Sequence, residues 1–170
     1  SYYYVNKSSL PKVYGGFNTS LSWKGFDLSA IFAYSIGGYI YNRDITMILH
    51  NGSLEGRDWS TEILKRWTPD NRYTDVPALS TTSNDWNSAS TRFLQNNSYM
   101  RLKNLTLSYN LPKQWISKLS LSSVQVYVQG DNLFTIHRNQ GLDPEQGITG
   151  ITYYRYPAMR TISGGINVSF

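Results

Sequence analysis

The sequence contains no cysteine, which removes disulfide frameworks, thiolate zinc clusters and thiol nucleophiles together. It also lacks an apolar run near the about 18 residues that a membrane-crossing helix needs, the longest candidate being AIFAYSI at 30–36. A helical membrane protein is thereby excluded. Runs of one charge are missing too. Lys and Arg number 16 against 11 Asp and Glu, a formal net charge of +5, but they are scattered, and no five like charges follow one another. A nucleic-acid reading therefore has no basic stripe to rest on. Histidine is scarce: His50 and His137 lie between predicted strands with no partner at ligand spacing, so they read as solvated side chains. The opening SYYYVNKSSL has neither the basic start nor the apolar block of a secretory signal. The expectation is either a protein that stays inside the cell or an internal or C-terminal part of a longer precursor.

What is present is tyrosine and tryptophan, 14 and 5 residues, with Ser, Thr and Asn between apolar positions. That mixture suits antiparallel β-structure with aromatic belts. The run TISGGINVSF at 161–170 alternates strictly, with Ile162, Gly164, Ile166, Val168 and Phe170 on one parity and Thr161, Ser163, Gly165, Asn167 and Ser169 on the other. Comparable runs predict strands at about 12–23, 25–36, 98–110, 122–134 and 158–170. Strands of ten or so residues are long for a globular protein and right for tilted membrane strands. In the third strand the first half is out of phase, since Met100 and Leu102 fall on the polar parity.

The predicted connections are unequal. Lys24-Gly25 links the first two strands and LPKQWISKLS the third and fourth, whereas 37–97 and 135–157 are long loops. Short links thus gather at one end of the sheet and long ones at the other, as in outer-membrane barrels. Trp23, Phe26, Tyr109, Trp115 and Phe170 fall at the short-link end, and Tyr34, Tyr99 and Phe134 near the other, as two interfacial girdles. A soluble β-sandwich that binds carbohydrate through a Trp-rich loop uses the same alternation and is the alternative. Strand length, loop asymmetry, paired belts and the terminal Phe favour the transmembrane β-barrel.

Six blocks carry a resemblance: PKVYGGFNTSLSWKGFDLSAIFAYSIGGYIYN (11–42), RWTPDN (66–71), NNSYMRLKNLTLSYNLP (96–112), VQVYVQGDNLFTI (124–136), GLDPE (141–145) and YPAMRTISGGINVSF (156–170). In this order they resemble the C-terminal end of SusC/RagA-type TonB-linked outer-membrane transporters of Bacteroidetes. The family's signal peptide, TonB-contacting segment and plug domain have no counterpart in the sequence. The resemblance implies that 1–170 forms the last five strands of an all-β, antiparallel transmembrane barrel of about 22 strands, with long extracellular loops. It further implies import of large nutrients, oligosaccharides or peptides, across the outer membrane of a Gram-negative cell. Implied partners are a SusD-like surface lipoprotein, TonB acting through the plug region, the outer-membrane assembly machinery and the lipid bilayer.

The terminal strand then matches the barrel assembly signal at Ser163, Gly165, Val168 and Phe170. Its physical logic is an unpaired strand edge with an aromatic anchor. In the long loop, Trp59, Trp67, Tyr73 and Trp86 are candidate ligand or lipoprotein contacts, against the alternative that they fold the loop on itself. Trp59, Ile63 and Trp67 recur at four-residue steps in RDWSTEILKRW, a short helix capped by Asp58. Asn18, Ser20, Asp27, Ser29, Asn104, Thr106, Gln125, Gln129 and Asp131 are expected to face the lumen, towards water or the plug. The loop carboxylates Asp44, Glu55, Asp58 and Glu62 do not define an acid–base pair. Gly15-Gly16, Gly37-Gly38 and Gly164-Gly165 lack the lysine of a phosphate cradle and read as close-packing positions. The sequons at Asn18 and Asn104 lie inside strands and read as chance. No cofactor, no metal and no catalytic residue is expected.

Overall fold

The structure, a computed structural model of the 170-residue chain, describes residues 4–50, 56–80, 82, 88–139, 141, 143–145 and 147–170. Eight strands occur among them in the order β1 (Val13–Trp23), β2 (Phe26–Ile36), β3 (Tyr39–Asn42), β4 (Leu94–Asn96), β5 (Tyr99–Asn110), β6 (Ser123–His137), β7 (Ile151–Thr152) and β8 (Thr161–Ser169). The chain divides into two compact units. The larger comprises Leu10–Gly38, Asn97–Glu145 and Tyr156–Phe170, and the smaller comprises Ser1–Ser9, Tyr39–Asn96 and Gln146–Arg155.

In the larger unit, β1, β2, β5, β6 and β8 pair in that order into one antiparallel sheet. The β1–β2 hairpin closes through Lys24 and Gly25, whose φ values of 47° and 89° supply the left-handed pair that a two-residue turn requires. Register puts like with like on each face. Phe17 sits opposite Phe32, their rings stacked at 4.7 Å, and Leu21 opposite Leu28, Leu28 opposite Leu107, and Leu107 opposite Val128. The same face continues through Val126 and Ile166 to the β8 edge. These side chains meet solvent: Leu21 is 67% exposed, Trp23 64% and Ile162 71%. A sandwich would bury them against a second layer, so the soluble-sandwich alternative is set aside.

The phase problem in β5 is resolved by a bulge. Register shifts where Lys103 of β5 meets Asn132 and Leu133 of β6, and the pairing resumes with Leu102 opposite Phe134. An extra residue exchanges the two faces of the strand beyond it. Leu102 and Met100 therefore join the apolar face, alongside Phe32 and Tyr34, and Arg101 moves to the polar one. Tyr99 moves with Arg101, opposite Ser35 and His137. The girdle expected at Tyr34, Tyr99 and Phe134 thus loses Tyr99, because the bulge reverses the alternation of β5 at that end.

In the smaller unit, β3 is the centre of a three-stranded sheet, antiparallel to β4 and parallel to β7. Ile40 and Phe93 are its most enclosed apolar side chains. Helix α1 (Arg43–Ile48) begins where the Asn42 side-chain oxygen accepts the Ile45 N–H at 3.1 Å, the usual cap for an orphan first-turn donor. The segment expected as one long loop at 37–97 therefore holds short strands and a helix. Its RDWSTEILKRW stretch forms only a 3₁₀ turn, Thr61–Lys65, capped by Ser60 and not by Asp58. The Ser60 hydroxyl accepts the Glu62 N–H at 3.3 Å, which starts the turn two residues late. At the other end Arg66 is extended and the Trp67 N–H bonds the Val76 carbonyl at 2.8 Å. Ile63 packs with Val76 in a small core, and Trp59 and Trp67 stay half exposed.

Candidate functional site

The polar face of the larger sheet is a continuous hydrogen-bonded surface. Asp27 accepts from the Ser22 hydroxyl at 2.5 Å and from the Asn110 amide at 2.7 Å. Further along, Asp131 accepts from Asn104 at 2.8 Å, and Thr106 donates to the Asn104 carbonyl at 2.9 Å. Gln125 donates to Ser108 at 3.3 Å and accepts from Asn167 at 3.2 Å. Register places all nine residues expected on the lumen side on this one face: Asn18, Ser20, Asp27, Ser29, Asn104, Thr106, Gln125, Gln129 and Asp131. Each carboxylate is held by neutral donors, which fixes its direction.

Beyond the bulge the face ends in an ion cluster. Arg101 donates from Nε to the Thr135 hydroxyl at 2.8 Å, from Nη1 to Glu145 at 2.8 Å and from Nη2 to Asp143 at 2.5 Å. Lys103, the bulged residue, donates to both Glu145 oxygens at 2.6 Å. Asp143 also accepts the N–H groups of Glu145 at 2.9 Å and Ala158 at 2.7 Å. The side chains of Arg101 and Asp143 are only 4% and 8% exposed. Burial alone pushes the Asp143 carboxyl up, but the two N–H donors and the Arg101 guanidinium outweigh it and hold the group below the ordinary carboxylate range. Alongside, the Asn97 amide donates to the Pro144 carbonyl at 2.9 Å and accepts from Asn139 at 2.9 Å. The connection between β6 and β8 is thus tied to the sheet through side chains of β5.

The smaller unit carries a cleft of about 530 Å³ lined by Asp44, Ile48, Arg57, Asp58, Tyr154 and Arg155, among others. Arg57 donates to the Tyr154 hydroxyl at 2.9 Å, and the Tyr154 N–H donates to Asp44 at 3.0 Å. The hydrogen bond from Arg57 favours the phenolate and lowers the Tyr154 pKa below its ordinary value. Trp59 donates its indole N–H to His50 Nδ1 at 3.0 Å, so the histidine read as solvated is enclosed against a tryptophan edge. Trp59, Trp67 and Tyr73 do not line the cleft. Tyr73 is fully exposed, and Trp86 lies outside the described residues, as does Glu55.

In the terminal strand, Ser163 and Gly165 lie on the polar face opposite Gln129 and Tyr127, and Val168 lies on the apolar face opposite Val124. Phe170 is 92% exposed. A Cβ on Gly165 would come within 2.7 Å of the Tyr127 hydroxyl and 2.9 Å of its ring, so any larger residue there requires the Tyr127 side chain to move. The Arg101 cluster was missed by sequence reasoning: GLDPE is in the sequence as a block, but nothing in spacing joins residues 143 and 145 to residue 101.

Comparison with known proteins adds the identity of the fold. No family model matches the chain. It is 34% identical over 166 residues to TonB-dependent receptor P3 of Formosa agariphila, covering 91% of this chain and 16% of that protein. It is 27% identical over 168 residues to TonB-dependent receptor SusC of Bacteroides thetaiotaomicron, covering 98% of this chain and 16% of that one. The RagAB peptide importer in its open-open state superposes with a TM-score of 0.85 at 35% identity, over 98% of this chain and 18% of the importer chain. The chain therefore spans about a sixth of the length of these relatives. A one-layer antiparallel sheet with an exposed apolar face, a hydrogen-bonded polar face and short links at one end is a stretch of outer-membrane β-barrel wall. Over nearly its whole length the chain is similar to part of TonB-dependent receptors of SusC/RagA type.

Proposed function

We propose that the chain forms part of the wall and outer loops of an importer that moves large nutrients, oligosaccharides or peptides, across the outer membrane. In this reading the apolar face meets lipid, the polar face meets the lumen and plug, and the long connections point outwards. The observation that carries it is the separation of faces across all five long strands, which holds through the bulge. Similarity to SusC and to the RagAB peptide importer supports the nutrient class. A SusD-like lipoprotein caps the outer side, and TonB acts through a plug region that these residues do not include. The segment binds and guides, and no covalent chemistry is assigned to it.

Within that reading Ser163, Gly165, Val168 and Phe170 form the strand that the assembly machinery recognises. Trp59, Trp67 and Tyr73 belong to the outer loops, where half-exposed indoles suit sugar rings or a lipoprotein surface. The test is to delete the full-length receptor gene in its host and to purify a tagged receptor from outer membranes. Loss of growth on one class of oligosaccharide or peptide, with a surface lipoprotein co-purifying, is the expected result. Unchanged uptake of every such nutrient, or recovery of the receptor outside the outer membrane, overturns the reading.

A further inference from the structure

The short-link end of the larger sheet gathers three lysines on its links, while the nearby carboxylate Asp27 lies on the polar face. Lys24 lies in the β1–β2 turn, and Lys113 and Lys118 lie in the β5–β6 link, on helix α2 (Lys113–Ile116) and the 3₁₀ turn Ser117–Leu119. These links leave the sheet side by side: β2 and β5 are paired neighbours, and the Asn110 N–H donates to the Gly25 carbonyl at 2.8 Å. Among the described residues none of the three lysines makes an ion pair. The acid closest in sequence register, Asp27, lies on the polar face with both oxygens taken by Ser22 and Asn110. Asp143 and Glu145 are engaged with Arg101 and Lys103 beyond the bulge.

Two tryptophans share this rim. Trp23 ends β1 on the apolar face, opposite Phe26, and Trp115 sits in α2; they are 64% and 65% exposed. Lys24 Nζ stands 4.9 Å from the Trp23 ring centre. Ile116 is buried beside Trp115, which seats α2 and gives its exposed residues a fixed place. An exposed indole at the edge of an apolar surface lies at headgroup depth in a bilayer, and a lysine there runs its stem along hydrocarbon and lifts its ammonium to the phosphates.

We propose that Lys24, Lys113 and Lys118, flanked by Trp23 and Trp115, form a headgroup site for an anionic phospholipid of the leaflet at the short-link end. The inference rests on the wall reading above. The ligand class follows from two requirements met together: a phosphate for the ammonium groups, and acyl chains for the apolar face that Trp23 terminates. Each lysine near an anionic lipid surface contributes a comparable increment of attraction, so three act cumulatively.

The test uses the full-length receptor purified from membranes in mild detergent and mixed with equal amounts of phosphatidylglycerol and phosphatidylcholine, with retained lipid read by native mass spectrometry. Wild type is expected to retain phosphatidylglycerol preferentially. The K24Q/K113Q/K118Q variant should lose that preference by about tenfold or more. The corresponding triple Lys→Arg variant, and Lys12→Gln in the segment before β1, should keep it. No preference in wild type, or an unchanged preference in the Gln variant, overturns the proposal. A receptor that enters no membrane fraction overturns the wall reading and this site with it.

Discussion

Removing the guanidinium of Arg101 leaves the Asp143 carboxylate almost fully enclosed, with two backbone N–H donors and no counter-charge. Breaking a buried pair by taking away one partner costs more than the pair contributes, about 3–5 kcal/mol. Arg101→Met in the full-length receptor should therefore free the connection around residues 139–158, read as faster cleavage there by limited proteolysis while the strands stay protected. Acid should do the same. A carboxyl held below its ordinary pKa adds stability that is fully present above the unfolded value of about 3.9 and is lost as pH falls through the folded value. Protection of this connection should stay level from pH 8 to 5 and collapse only below about pH 4, and Asp143→Asn should remove that acid step. Gly165→Ala makes a separate prediction. Its methyl must displace Tyr127, costing about 1–3 kcal/mol in urea unfolding of the receptor. The added change Tyr127→Val should return most of it. A loss that persists in the double variant would mean that Gly165 is required for something other than the Tyr127 ring. Neither relation was legible in the sequence. Arg101 reads there as one polar residue of a strand, and its acidic partners lie in a distant connection that no periodicity governs.

At the scale of the element, alternation located all five long strands, because an exposed apolar face forces a strict period of two. It failed only where a bulge inserts residues. Asn132 adopts φ 52° at the shift, a conformation costing other L-residues about 1–2 kcal/mol and tolerated best by Gly, Asn and Asp. Asn132→Ala should accordingly destabilise the barrel by about 1 kcal/mol more than Asn132→Gly, since both lose the same side-chain bond to the Met159 carbonyl. Equal effects in urea titrations would show that the left-handed backbone is not what holds the bulge. The strands of the smaller unit were invisible to the same method. β3, β4 and β7 have 4, 3 and 2 residues, too short to display a period, and β3 and β7 pair across more than a hundred residues of sequence. The helix expected over 57–67 failed for a related reason: Ser60 competes with Asp58 for the first N–H groups, and four-residue spacing of Trp59, Ile63 and Trp67 does not distinguish a helix from a 3₁₀ turn with flanking extended chain.

Across the whole molecule, the larger sheet has two kinds of unsatisfied surface, and they call for different partners. Its apolar face needs hydrocarbon. Its outer strands β1 and β8 need other strands, because each presents a free row of N–H and C=O groups along one edge. The 170-residue chain expressed alone should therefore be insoluble or polydisperse in buffer. Detergent supplies the first partner and not the second, so it should yield soluble particles that are still oligomeric, joined edge to edge. Only strands that continue the barrel beyond β1 and β8 can satisfy both, and co-expression with the rest of the receptor should give a single closed species of receptor mass. Size-exclusion chromatography with light scattering separates these states. A compact monomer with a cooperative thermal transition in detergent-free buffer would mean that the sheet covers its own face and edges, and the wall reading would fall. An oligomer in detergent that resolves only with the remaining strands would show that edge pairing, on top of burial in lipid, keeps the segment in place.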